Sequence, residues 1–315
     1  MDTMRAIVQS AYGPPEALRV STIPVPTPGP DEALVRVRAA GIDAGTWHLT
    51  TGEPLLMRVI GMGFRGPKAR VRGLAFAGEI AETGERVFGA APGTLAEYAA
   101  VPRSALVPLP DALGFEEAAA LPVSAVTALQ AVRAAGLRPG DGVLVLGAAG
   151  GVGHYAVQLA VAAGAHVTGV CSGPKTAFVR GLGAAETVDY TTTDVLALPR
   201  VWDAIIDTAG DRPLAALRRI LSPAGALVLV GGTGGRLLGG TDRVAAAALR
   251  NAFARQRLVG LLSRDTAADL TEVARLAAAG TLRPTLDAVH DLDETGAAVA
   301  RVGAGRARGK VVVRL

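Results

Sequence analysis

The sequence predicts an α/β protein in two parts, a small β-rich domain followed by a doubly wound domain built on a parallel sheet. Three observations predict it. The 315 residues exceed what one hydrophobic core usually serves, so two domains are expected. The stretch before Pro110 reads as short strands broken by turns. After Pro110, apolar runs of about five residues alternate with helical stretches, the pattern of a parallel sheet covered on both faces.

In the first part, Arg5-Ala6-Ile7-Val8 and Leu18-Arg19-Val20 are expected strands on either side of a Tyr12-Gly13-Pro14-Pro15 turn. The Pro24-to-Pro30 stretch is a connector, because each proline ring fixes φ and removes a ladder donor. Ala33 to Ala39 alternates as a half-buried strand, and further strands fit Leu74–Ile80, Arg86–Gly89 and Glu97–Val101. Phe115–Ala120 and Ala125–Ala135 read as helices. Then come strand Val143–Gly147, helix Val152–Ala163, strand His166–Val170, helix Lys175–Gly181 and strand Ala204–Asp207. Helix Leu214–Leu221, strands Ala226–Val230 and Leu258–Leu262, and a flexible Gly231–Gly240 loop complete that part. The tail supplies one amphipathic helix from about Thr266 to Ala279 and a last strand, Lys310–Leu315.

Composition narrows the function classes. Half the residues are hydrophobic and 19% are charged, which suits a packed globular enzyme. The 32 basic and 28 acidic residues are scattered, and aromatics make up 4%, so no nucleic-acid surface is expected. One cysteine, Cys171, excludes an internal disulfide and every multi-cysteine metal site. No stretch reaches the roughly 18 uncharged apolar residues of a membrane span, and the start of the chain does not read as a signal peptide. A cytoplasmic location without membrane contact is the expectation.

Gly147-Ala148-Ala149-Gly150-Gly151-Val152-Gly153 follows an apolar strand and opens a helix, the context a dinucleotide turn requires. Gly150 lets the backbone approach a pyrophosphate, the helix start offers N–H groups and partial positive charge, and Gly153 permits close helix-on-strand packing. Ala148 stands where the usual motif has its first glycine. The end of the next strand, Val170-Cys171-Ser172-Gly173-Pro174-Lys175, carries no acid for ribose hydroxyls. It carries Ser172 and Lys175, one of the chain's three lysines, and Tyr190 follows the next short strand. This set suits a 2′-phosphate. NADPH is the expected cofactor.

Several segments resemble the zinc-independent medium-chain dehydrogenase/reductases of the quinone oxidoreductase (zeta-crystallin-like) group. They include Ala11-Tyr12-Gly13-Pro14-Pro15-Glu16, Leu34-Val35-Arg36-Val37, Phe76-Ala77-Gly78, Glu97-Tyr98-Ala99, Glu116 to Pro122, Gly150 to Ala160, and Arg308 to Val312. The resemblance implies a GroES-like β-rich domain over residues 1–115 carrying the substrate cleft. It implies a Rossmann domain with a doubly wound parallel sheet over 116–263, a C-terminal segment over 264–315 returning to the first domain, a small-molecule substrate, and a homodimer. It places Thr127, Val230, Gly231, Leu261, Leu262, Ser263 and Lys310 near the cofactor, and Ala209-Gly210 at the nicotinamide end. Gly41 to His48 would face the nicotinamide, with Asp43 among the cofactor and catalytic residues and His48 as proton donor or enolate partner, since imidazole titrates near neutrality.

Zinc-dependent relatives carry a cysteine shortly after the counterpart of Gly41 and then a Gly-His-Glu motif. Asp43 and Gly73-Leu74-Ala75 stand at those places here, so no metal is expected. Two departures touch the chemistry: the zinc-independent group commonly has Asn at position 43 and Asp at position 75. An ionised Asp43 beside nicotinamide would favour the oxidised ring and oppose an enolate. Either burial raises its pKa, or the reaction is not an ordinary enone reduction. Hydride transfer from NADPH to a quinone or α,β-unsaturated carbonyl is the first expectation. Reversible alcohol oxidation and enoyl-thioester reduction are same-class alternatives, and a non-catalytic NADPH-binding sensor or partner protein is the alternative from another class.

Overall fold

The chain through Val126 folds with Arg264–Leu315 as one unit, and Thr127–Ser263 folds as a second. The computed structural model describes residues 2–231, 235–251 and 255–315. Positions 232–234 of the glycine-rich loop expected at Gly231–Gly240 lie outside them. Gly235–Leu238, expected as part of that loop, forms a short helical turn.

The first unit opens with β1 (Thr3–Val8) and β2 (Arg19–Pro24), paired antiparallel. β3 (Glu32–Ile42) buries Ala33, Val35 and Val37 on one face, as its alternation requires. It runs into α1 (Ala44–Thr51), a helix where only strands and turns were expected. The local signal is the cap: Asp43 Oδ1 accepts the Thr46 N–H at 2.9 Å, three residues on. β4 (Ala75–Ile80), β5 (Arg86–Ala90), β6 (Tyr98–Pro102) and β7 (Leu106–Pro108) follow, then α2 (Phe115–Ala119).

α3 (Ser124–Ala135) leads into β8 (Gly142–Leu146), α4 (Gly153–Ala162), β9 (His166–Cys171), α5 (Thr176–Gly181) and β10 (Glu186–Asp189). β11 (Trp202–Asp207), α6 (Leu214–Arg219), β12 (Leu221–Leu229), α7 (Thr241–Asn251) and β13 (Arg257–Gly260) complete the second unit. The helix expected over Leu214–Leu221 stops at Arg219, because Leu221 already pairs with Trp202 in the sheet. The strand expected to Leu262 ends at Gly260, its last paired residue. Among the described residues the sheet has the order β10-β9-β8-β11-β12-β13 and every pairing in it is parallel. Its inner strands β8, β9 and β11 are buried on both faces, with Leu144, Leu146, Ile205, Leu227 and Trp202 in one core cluster. Order reverses between β8 and β11, the switch point of a doubly wound sheet.

Back in the first unit come α8 (Ala267–Ala278), β14 (Leu286–Asp291), α9 (Thr295–Gly303) and β15 (Lys310–Arg314). β15 pairs with β3 in the order β14-β15-β3-β4-β5-β7, and β6 adds to β3. The register of Val311 against Ile42 brings Lys310 to the end of β3, beside Asp43. Among the described residues no helix is long and apolar enough to cross a membrane.

Candidate active site

In a parallel sheet all strands end at the same edge, so Leu146, Cys171, Asp189, Asp207, Leu229 and Gly260 share one border of the second unit. Of the residues expected to hold a dinucleotide, all but Asp43, Thr127 and Lys310 follow those ends. Gly147 turns the chain with φ +75°, and a Cβ there would lie 2.6 Å from Thr208 Oγ1. A Cβ at Gly153 would collide with the Gly147 carbonyl oxygen. Ala148 N donates to Val170 O and Gly150 N to Gly147 O, which close the turn on the sheet. The helix starts at Gly153, not Val152, and its ladder begins where His154 N donates to Gly150 O. The preceding N–H groups of Gly151, Val152 and Gly153 are the orphan donors of a helix start, suited to a diphosphate.

Ser172 follows β9 and Lys175 closes a short 3₁₀ turn, Gly173–Lys175, before α5 begins at Thr176 rather than at Lys175. An acid that sequence reasoning missed stands beside them. Asp189, the last residue of β10, pairs with Cys171, and its Oδ2 lies 2.5 Å from where a Gly173 Cβ would be. The Thr191 hydroxyl first, then the Thr191 and Gly173 N–H groups, hold the Asp189 carboxyl below the ordinary carboxylate range. Burial first and Asp189 second push the Cys171 thiol up, and Lys175 opposes them. Tyr190 is exposed, with its N–H on Cys171 O. The only sequence signal for Asp189 is its Asp-x-Thr turn, in which Oδ1 accepts from Thr191 N at 2.9 Å and Thr191 Oγ1 at 2.7 Å.

Thr208 Oγ1 donates to Leu146 O at 2.7 Å, and a Cβ at Gly231 would lie 3.2 Å from Thr208 O. Val230 N donates to Asp207 O, and Leu261 N to Leu229 O. Leu262 and Ser263 are exposed beyond β13, and Thr127 is buried in α3.

Asp43, His48 and Lys310 belong to the first unit. Lys310 is 1% exposed, and its ammonium donates to Ile42 O at 3.0 Å and Ser124 Oγ at 2.9 Å. Burial pushes the Lys310 ammonium down from the ordinary lysine value, while Asp43 and then Asp265 pull it back. Asp265 accepts the Val123 N–H at 2.9 Å, and the protein packed around it pushes its carboxyl up. Val123 holds φ +62°, costly for a β-branched residue. Asp43 is 6% exposed; Oδ1 takes the helix cap, and Oδ2 is enclosed without a partner. His48 Nδ1 is 2.6 Å from Glu53 O, so it carries the proton in the neutral ring and leaves Nε2 as acceptor. Trp47 packs against the core cluster of Ile42, Leu292 and Val311.

Position 43 also serves to test zinc. A Cβ at Gly45 would lie 2.9 Å from Asp43 Oδ1 and 3.1 Å from Leu74 Cδ1, so a carboxylate and a hydrocarbon share that spot. Ala75 is buried and offers no donor. Among the described residues no three His, Cys, Asp or Glu side chains group as metal ligands. One carboxylate already spent on a helix cap does not fit a catalytic zinc, which needs about three protein ligands.

Compared with known proteins, the chain is 31% identical to a chloroplastic quinone-oxidoreductase homolog of Spinacia oleracea, over 98% of each chain. It belongs to the medium-chain dehydrogenase/reductase family, in the quinone oxidoreductase group. A second relative, a mitochondrial NAD(P)H oxidoreductase of Mus musculus, is 30% identical over 99% of this chain and 89% of its own. The family model described as zinc-binding dehydrogenase matches residues 182–313. The structure of a quinone oxidoreductase from Coxiella burnetii superposes with a TM-score of 0.88 at 27% identity, covering all of both chains. The two units are accordingly the GroES-like and Rossmann folds of the medium-chain family, and the chain is an oxidoreductase.

Proposed function

We propose that this oxidoreductase is NADPH-dependent and zinc-independent, and that it delivers hydride to a quinone or an α,β-unsaturated carbonyl. The reading is carried by the glycine turn, where Gly147 and Gly153 let the chain pack so closely that the helix start falls at the end of β8, with Ser172 and Lys175 at the neighbouring strand end. When bound, the nicotinamide supplies the hydride. The N–H groups from Gly151 to Gly153 take the diphosphate, and Lys175 with Ser172 and Tyr190 takes the 2′-phosphate. Val230, Gly231 and Leu261–Ser263 flank the cofactor on the other half of the sheet, and Thr127 and Lys310 complete the contacts carried over from the family. From Nε2, His48 donates or relays the proton that follows hydride addition, after that nitrogen has taken a proton from solvent, while Nδ1–H stays on Glu53 O. Asp43 caps the start of α1, and it acts on Lys310 against the effect of burial.

Zinc-independence follows the donor set at Asp43, Leu74 and Ala75. A homodimer is carried over from the family resemblance, and the edge strand β13 leaves a sheet border that a second copy could cover.

One observation favours a second reading, NADH. Asp189 stands where an acid would take ribose hydroxyls and repel a 2′-phosphate. Its oxygens already accept from Thr191 and Gly173, so NADPH remains the first reading. Fluorescence titration with both nucleotides separates the two, and tighter NADH binding sinks the phosphate site. NADPH consumption across quinones, enones and enoyl thioesters then tests the chemistry, and binding without turnover would assign the chain to a sensor role.

A further inference from the structure

Arg243 lies in the first turn of α7 and reaches across to Asp207, the last residue of β11. Asp207 is wholly buried, and its Oδ2 accepts Arg243 Nη2 at 2.6 Å. Its Oδ1 accepts the Gly210 N–H at 2.8 Å, so one carboxylate ties the helix to the Thr208–Gly210 loop. That loop lies against both Gly147 and Gly231. The Arg243 side chain is 12% exposed, yet its Nε and Nη1 are enclosed and have no partner. A buried donor left unmade costs about 1–3 kcal/mol. A buried ion pair contributes little net stability on its own, so stability alone does not account for an arginine here.

We infer that Arg243 is a specificity-determining residue for the bound dinucleotide, its unused guanidinium N–H groups taking an oxygen of the nicotinamide nucleoside. The inference rests on the dinucleotide reading above. Two features fix the half of the ligand. The glycine turn follows β8 and the phosphate-suited residues follow β9 and β10, so the adenosine side lies there. β11 to β13 take the other side of the switch point. Charge fixes the chemistry: Asp207 already compensates the guanidinium, so the unpaired N–H groups suit a neutral acceptor, the carboxamide oxygen or a ribose hydroxyl, over a further anion.

The experiment compares whole dinucleotides with their adenosine halves on the full chain. NADPH is paired with 2′,5′-ADP, and NADH with AMP, in calorimetric titrations. Two variants are used: Arg243→Lys keeps the ion pair and removes the guanidinium donors. The double variant Asp207→Asn with Arg243→Gln replaces the pair by neutral amides, which avoids leaving a buried charge alone. Both should bind the adenosine half as the wild type does and lose about tenfold in affinity for the dinucleotide, about 1.4 kcal/mol. Unchanged dinucleotide affinity in both variants overturns the inference, as does an equal loss for half and whole, which marks a purely structural residue. If the wild type binds neither NADPH nor NADH, the dinucleotide reading fails and this one with it. If it binds them and the variants match it, only the role of Arg243 fails.

Discussion

The Lys310 ammonium donates to the Ser124 hydroxyl at 2.9 Å, although 186 residues separate them in sequence. The same ammonium holds the carbonyl of Ile42, the residue before Asp43. The end of β3, the start of β15 and the start of α3 are thereby fastened at one buried cation. Asp43 and Asp265 supply the negative charge that offsets its burial.

The first prediction concerns pH. Burial depresses Lys310 in the folded protein, so the unfolded chain holds that proton more tightly. Unfolding therefore takes up a proton between the depressed value and the ordinary lysine value, and stability rises with pH through that window. Thermal melts from about pH 8 to about pH 10, in the range where lysines titrate, should show a stability gain that Lys310→Met lacks. At neutral pH the variant should lose roughly 1–3 kcal/mol, because Ser124 Oγ and Ile42 O lose their donor. Parallel pH profiles for the two proteins would refute the account.

Gly153→Ala addresses the nucleotide turn. The added methyl meets the Gly147 carbonyl oxygen, and Ala148 Cα is 3.0 Å away, so backbone must move. Overpacking of this kind costs about 1–3 kcal/mol. Denaturant unfolding should report that loss, and dinucleotide affinity should fall with it, since the displaced turn carries the diphosphate donors. Full affinity with wild-type stability would mean that the turn tolerates a side chain.

What the sequence discloses depends on how local the cause is. β8, β9 and β11 were legible to within a residue or two because each is a short, mostly apolar run buried on both faces. β10, Glu186-Thr187-Val188-Asp189 at the sheet edge, offered no such run, and β12 begins at Leu221, five residues before the expected Ala226. α1 was not legible, since its apolar pattern is weak and only the Asp43–Thr46 cap announces it. The glycine turn was legible because Gly153 answers to Gly147 and Ala148, within six positions, whereas the contact of Gly147 with Thr208 was not. Asp189 and Arg243 were not, for each acts on a different strand or helix: Asp189 on the Gly173 turn, Arg243 on Asp207 across 36 positions. Lys310 was singled out through the family resemblance, whereas its contacts with Ile42 and Ser124 depend on the pairing of β15 with β3.

Asp43→Asn separates the cap from the charge. Asparagine caps a helix about as well as aspartate, so stability should change by no more than about 0.5 kcal/mol, whereas Asp43→Ala should cost about 1 kcal/mol. Removing the carboxylate also removes the largest influence that raises Lys310. Lys310 should then fall further, and the alkaline stability gain of the wild type should begin at lower pH. A stability profile in Asp43→Asn identical to the wild type would show that the two groups are not coupled.

Lys175→Ala tests the phosphate site against its acidic neighbour. Lys175 and Asp189 act in opposite senses on the Cys171 thiol, which puts both charges within electrostatic reach of the β9 end. If Lys175 takes the 2′-phosphate, its removal should weaken NADPH by roughly 1–3 kcal/mol, the worth of a charge-assisted contact, and leave NADH unchanged. Removing the acid acts the other way: Asp189→Asn should strengthen NADPH by relieving repulsion, provided the Gly173–Thr191 turn holds. Paired fluorescence titrations of both nucleotides with both variants decide the matter. An equal loss of NADH and NADPH in Lys175→Ala would remove that lysine from the phosphate site, and weaker NADH binding in Asp189→Asn would give the ribose to Asp189.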